Sequence, residues 1–228
     1  MNKRGIYEET LTRLKAESEE KFLKFSERIV AGEKRLIGVR TDKIRSIAKE
    51  VAAKDLNAYL NECEFKFYED TLIYGLLIAS LPFDEFLKYI DVYLLHADSW
   101  AHIDAFVPSL SFIKKDGERF FDYLKRSESG ADGFKLRFIT VSYLDHFLKK
   151  ENLGYIFKFC VEKDGNGYYN DMAIAWLVSV AYIKFEEETY EFLLKKNLSK
   201  FTHNKAISKI CDSLRVKNKE KIKALRLK

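Results

Sequence analysis

Trp100 and Asp104 stand four residues apart in the stretch DSWAHID, residues 98–104. On a helix that spacing places an indole and a carboxylate on one face. An indole face attracts cations. A carboxylate beside it can stabilise a developing positive charge or orient a water molecule. The same pair has a plainer reading, in which Trp100 packs in a core and Asp104 sits at the wet edge of the stripe.

Two further residues extend the pattern. Arg137 lies in KLRFITVS, 37 residues after Trp100, and Trp176 in MAIAWLVS, 39 residues after Arg137. Such intervals match the length of HEAT- or armadillo-type helical units. In stacked units, equivalent positions fall into a row along a concave face. Two aromatic plates, a carboxylate and a guanidinium would then stand together. A guanidinium can hold a phosphate in a bidentate fork. A substrate that suits all four roles is a cationic base in nucleic acid. Loss of an alkylated purine leaves an oxocarbenium-like sugar, which a carboxylate stabilises as it does in glycoside hydrolysis. Arg137 is the most telling of the four on its own, because Leu136, Ile139, Val141 and Leu144 around it are apolar. A guanidinium there lies on the rim or is held by a carboxylate. Trp176, in AIAWLVSV, reads equally well as core.

The elements that must carry these residues are helices. Glycine and proline are scarce, at 10 and 2 of 228 residues, which favours long uninterrupted helices over turn-rich sandwiches and barrels. Apolar residues recur with spacing i, i+3, i+4, i+7 along most of the chain. The pattern predicts a helix or helix pair over 7–31 and a helix over 43–52 capped by Thr41 and Asp42. A helix capped by Asp55 follows, then one over 67–81 and one running on from Pro82 through FDEFLKYIDVYLL. Further helices are expected over 117–128, from Lys135 through Lys149, over NLGYIFKFCVE, over DMAIAWLVSVAYIKF, over ETYEFLLKK and from a Thr202 cap through Arg215. A short basic helix or tail ends the chain. No strict two-residue alternation is sustained, so no strand is expected. About a dozen helices with short connections make an all-α protein of antiparallel helix pairs.

Composition bounds the class. Hydrophobic residues make up 47% of the chain, and 40 Lys and Arg against 35 Asp and Glu give a formal charge of +5. That permits nucleic-acid binding without demanding it. Cys63, Cys160 and Cys211 are widely separated and form no CxxC pair, so they read as small core residues. His96, His102, His146 and His203 lack metal-ligand spacing and read as structural or exposed. The charged N-terminal segment has no apolar h-region, and no apolar run approaches the roughly 20 residues needed to cross a bilayer. A cytoplasmic protein with no membrane partner is the expectation.

Blocks along nearly the whole chain resemble the AlkD-type DNA alkylation repair family, the HEAT-like-repeat DNA glycosylases. They are LIGVRTDKIRSIAKE (36–50), DSWAHIDAF, LRFITVS, YYNDMAIAWLVSVAYIKF and FTHNKAISKICDSLR (201–215). The resemblance implies a right-handed superhelical α-solenoid of antiparallel helix pairs. Residues 1–228 would form a single HEAT-like-repeat domain with a concave DNA-binding face, working as a monomer without an obligate protein partner. The implied activity is hydrolysis of the N-glycosidic bond of N3- and N7-alkylated purines in double-stranded DNA, without full base flipping, metal or organic cofactor. By that resemblance Trp100 and Trp176 contact the deoxyribose backbone and the cationic nucleotide. Asp104 positions water and supports the oxocarbenium, and Arg137 grips the neighbouring backbone. Lys34, Arg35, Arg40, Lys43 and Arg45 cluster at a loop and helix start, and Asn204, Lys205 and Lys209 near another. Both groups suit phosphates. Phe25 is the candidate for the family's N-terminal aromatic contact. Two other functions remain open on the sequence: a non-catalytic module for distorted or branched DNA, and a helical-repeat scaffold for a protein partner.

Overall fold

Helix α1 (Ile6–Ala16) opens the order of elements in the computed structural model, which describes residues 5–30 and 32–227. It is followed by α2 (Glu20–Ile29), α3 (Thr41–Glu62), α4 (Tyr68–Ala79), α5 (Phe83–Phe86), α6 (Ile90–His96), α7 (Trp100–Phe106) and α8 (Ile113–Ser127). The second half of the chain holds α9 (Gly133–Ser142), α10 (Leu153–Lys163), α11 (Tyr168–Lys184), α12 (Glu186–Leu194), α13 (Lys200–Asp212) and α14 (Lys219–Lys223). Among the described residues, the pairing outside helices is a single parallel bridge between Arg35 and Phe67. The protein is therefore all-α. The chain divides into two compact units, one ending at Phe120 and one beginning at Phe121.

In the first unit α3 packs against α1 and α4, and α4 packs against α6 and α7. Its core is strongly aromatic. Phe83, Phe86, Phe106, Phe112 and Phe120 are all buried, with Phe86 and Phe112 centroids 4.9 Å apart. Two acids are also buried, both in the first turn of α4. Glu69 accepts the backbone N–H of Ile37 at 2.9 Å, of Gly38 at 2.8 Å and of Val39 at 3.3 Å. Asp70 accepts the Phe67 N–H at 2.9 Å and the Tyr7 hydroxyl at 3.0 Å. Together they tie the α2–α3 connection and α1 to one helix end. A buried carboxylate is tolerated when it is satisfied by such donors.

The second unit is organised on α11, which packs against α9, α12 and α13. Ala173, Ile174, Leu177, Val178 and Ala181 of α11 are buried. Asp164 joins the loop before α11 to the turn before α13, accepting from the Ser199 hydroxyl at 3.1 Å and from the Ser199 backbone N–H.

Several elements differ from the sequence reading. Of the helix or helix pair expected over 7–31, the pair is what forms, as α1 and α2, with Ala31 outside the described residues. The expected break at Asp55 is real: its backbone leaves the helical region and its carboxylate accepts the Ala58 N–H at 2.9 Å, within the span of α3. Thr41 and Asp42 do not cap; they are already helical, and the cap position is Arg40. The single helix expected after Pro82 is two short helices, α5 and α6. The turn between them lets Phe83 and Phe86, then Ile90 and Tyr93, enter the core. The helix expected through Lys149 ends as α9, and residues 143–147 widen into a π turn that keeps Tyr143, Leu144 and Phe147 buried. Ser199, not Thr202, caps α13, its hydroxyl accepting the Thr202 N–H at 3.3 Å.

Candidate functional site

Ser99 starts the local architecture around Trp100. It is fully buried, and its hydroxyl accepts the Ala101 N–H at 3.3 Å, which fixes where α7 begins. Helical periodicity then sorts the next seven residues. His102, Ile103 and Phe106 turn inward. Trp100, Ala101, Asp104 and Ala105 form the other stripe and are half-buried. The pair singled out from the sequence therefore shares one partly open helix face. Neither residue belongs to the fully buried core.

The inward face is locked by a group that the sequence reading passed over. Asp98 and His102 are four residues apart, as Trp100 and Asp104 are, but rotated to the opposite side of the helix. His102 has no exposed surface. Its Nδ1 lies 3.2 Å from Asp98 Oδ1, and its Nε2 is 3.1 Å from the Tyr68 carbonyl oxygen. Asp98 also accepts the backbone N–H groups of Glu33 and Lys34, each at 2.9 Å. The Lys34 ammonium donates to the His96 carbonyl and stands 3.8 Å from Asp98. Burial alone would raise the Asp98 carboxyl. The His102 contact, the Lys34 N–H and the Lys34 charge outweigh it and bring the carboxyl down to about 2. The doubled i, i+4 spacing in DSWAHID was the signal for this second pair.

In the second unit Arg137 and Trp176 stand on adjacent helices. Arg137 is only 5% exposed. Its Nη1 donates to the Tyr169 carbonyl in the first turn of α11 at 2.6 Å. One turn along α9, the Thr140 hydroxyl donates to the Asn170 side chain at 3.1 Å, and Asn170 donates to the Lys163 carbonyl at 2.7 Å. Arg137 is thus an internal tie between α9 and the start of α11, and its guanidinium is not a free fork on the surface. Trp176 is half-buried on a stripe with Met172, Val180 and Ile183. Tyr169 stacks on Phe134 with centroids 5.4 Å apart. Tyr168 differs: it is exposed, 5.9 Å from the exposed Phe201 ring, with Lys205 over that ring.

The proposed DNA contacts divide into two sorts. Arg35, Arg40, Lys43, Arg45 and Lys205 are exposed. Arg40 is paired with Glu19 at 2.8 Å and lies over the Phe22 ring. Lys43 is 3.5 Å from Glu17. Lys34 is turned inward as described, and burial lowers its ammonium from the usual range. Asn204 is committed to the C-terminal segment: its amide donates to the Leu227 carbonyl and its oxygen accepts the Leu227 N–H, both at 2.9 Å. Lys209 is half-buried on α13. Phe25 is 57% exposed on α2.

The histidines fit structural roles. His203 is fully buried with Nε2 3.0 Å from the Leu225 carbonyl oxygen, and His96 stacks on Phe65. Among the described residues no group of three or more His, Cys, Asp or Glu is placed to hold a metal ion. Cys160 is buried, whereas Cys63 and Cys211 are half-buried. No helix among the described residues is long and apolar enough to cross a membrane. No protein-family model matches the chain, and no curated protein does.

Proposed function

We propose that this protein is a DNA glycosylase that hydrolyses the N-glycosidic bond of cationic N3- or N7-alkylated purines in duplex DNA. The observation that carries the reading is the half-open stripe of α7. There an indole and a carboxylate stand on one face, while the contact between buried His102 and half-buried Asp98 holds the opposite face in place. In this reading Asp104 orients the attacking water and stabilises the oxocarbenium-like sugar. Trp100 and Trp176 offer their faces to the sugar and the cationic base. Arg137 acts first as a positioning residue for α11. The architecture that accompanies the reading is a right-handed HEAT-like solenoid over residues 1–228, acting as a monomer in the cytoplasm with no cofactor. Exposed Arg and Lys side chains of the α3 start and of α13 supply phosphate contacts.

Mass-spectrometric detection of bases freed from methylated duplex by the purified protein tests this. Release of 3-methyladenine or 7-methylguanine is expected. A second reading, duplex binding without excision, is favoured by the burial of Arg137, whose guanidinium serves the Tyr169 carbonyl. Tight duplex binding with no freed base would establish that reading and remove the first.

A further inference from the structure

Many basic side chains of the first unit are neutralised by a neighbour. Arg13, Lys24, Lys34, Arg40, Lys43, Lys54, Lys66, Lys88 and Arg119 each lie within 4 Å of a carboxylate. Arg45 and Lys49 are among the described residues that do not, as are Arg35, Lys114 and Lys115; the first two differ from the others in sharing one cleft. They are one helical turn apart on the same exposed side of α3. Both line a cleft of about 310 Å³ between α3, the C-terminal end of α4 and the turn that precedes α8. No acidic residue lines it. Its remaining polar residues are Ser80, Ser109 and Ser111, over a floor of alanine and leucine.

The hydroxyls are arranged with some order. The Ser109 Oγ donates to the Ala105 carbonyl at 3.0 Å and accepts from Arg45 Nη1 at 3.4 Å, which draws the guanidinium toward the cleft. The Ser80 hydroxyl donates to the Leu77 carbonyl at 2.7 Å. The backbone of Ser111 is pinned by its N–H to the Ala79 carbonyl at 2.9 Å, and its hydroxyl is exposed. Two uncompensated cations beside small hydroxyls, in a concave site without a carboxylate, are the chemistry of a phosphate seat.

We infer that this cleft binds one backbone phosphate of duplex DNA, with Arg45 and Lys49 supplying charge, Ser111 a hydroxyl donor, and Ser109 acting as the positioning residue for Arg45. The inference rests on the proposed DNA binding but is independent of base excision. Ala105, on the half-open stripe of α7, and Arg45 border the same small void next to this cleft, so a phosphate here would lie beside the Trp100–Asp104 helix.

The test compares the full-length protein with the double variant Arg45→Gln/Lys49→Gln and with a charge-matched control, Lys54→Gln/Lys88→Gln. Both control residues are exposed and already ion-paired. Affinity for unmodified duplex is measured by fluorescence anisotropy over a range of salt concentrations. A lost phosphate contact removes about 0.9 from the slope of log K against log salt, so the Arg45/Lys49 variant, losing its one phosphate, should lose about 0.9 of slope and roughly eight-fold in affinity at 0.1 M salt. The control should keep the parent's slope. Ser109→Ala should weaken binding by a smaller factor and keep the parent's slope, because it removes no cation. Equal affinity and slope for the double variant and the parent would overturn the assignment. So would an equal loss in the control. Where the parent binds no duplex, titration with inorganic phosphate followed by amide NMR decides what remains: saturable shifts confined to Arg45–Ala52 and Ser109–Ser111 would overturn DNA as the occupant and leave a free-phosphate seat, and no shift would overturn the seat itself. Salt-dependent duplex binding through this cleft with no base freed from methylated DNA would uphold the inference while removing the glycosylase reading.

Discussion

At position 38 an added methyl group would meet the Leu23 Cβ at 2.6 Å and its Cα at 3.0 Å, on a backbone already at φ +91°. Glycine alone meets both demands, because the left-handed region is strained for other residues and the neighbour is backbone. The Glu69 carboxylate accepts the N–H of this same residue. Gly38→Ala should therefore lower stability by about 2–3 kcal/mol, seen as a drop in the urea midpoint at unchanged m-value. An unchanged midpoint would mean that the α2–α3 connection relaxes freely. The i, i+4 spacing of Trp100 and Asp104 was legible in the sequence because helical periodicity alone decides which residues share a face. The burial of Arg137 was half legible. The apolar neighbours implied a rim position or a carboxylate partner, whereas one partner is a backbone carbonyl 32 residues away, which no side-chain pattern encodes.

At the scale of the element, α7 depends on ionised Asp98. Its folded carboxyl is held at about 2, against 3.8 as its ordinary value. A depressed carboxyl stabilises the fold fully above the ordinary value and loses that contribution as pH falls from about 4 through 2. The side chain is 21% exposed, so solvent screening limits the effect to ~1–2 kcal/mol. Asp98→Asn should flatten this part of the acid limb in a series of urea unfolding curves between pH 5 and 2. A variant curve parallel to the parent's would contradict the assigned network. Helix existence was readable throughout from the 3.6-residue period. The ends were less so, because caps are chosen by tertiary neighbours. Ser199 caps α13 while also bonding Asp164, a residue from the loop before α11. The break between α5 and α6 was invisible for a similar reason: the apolar period runs on through it, and only packing forces Phe83, Phe86, Ile90 and Tyr93 into one core.

For the whole molecule, a surplus of five positive charges is too small to specify a nucleic-acid partner. Its distribution says more, since many cations of the first unit are internally paired, whereas Arg45 and Lys49 are not and stand together on one cleft. Trp100, Arg137 and Trp176 fall on α7, α9 and α11, alternate helices of the chain. They occupy the first, fifth and ninth residues of those helices, so the register advances about one turn at each step. Sequence spacing reports the length of a unit, whereas the loop lengths that set this shift are fixed by packing.

The central claim is that Asp104 performs chemistry. The most direct measurement is single-turnover release of 7-methylguanine from methylated duplex by Asp104→Asn, set beside duplex affinity of the same sample. The account predicts release slowed at least about a hundredfold, the scale of a lost general-base or electrostatic contribution, with affinity within a few-fold of the parent. Release at the parent's rate would contradict it.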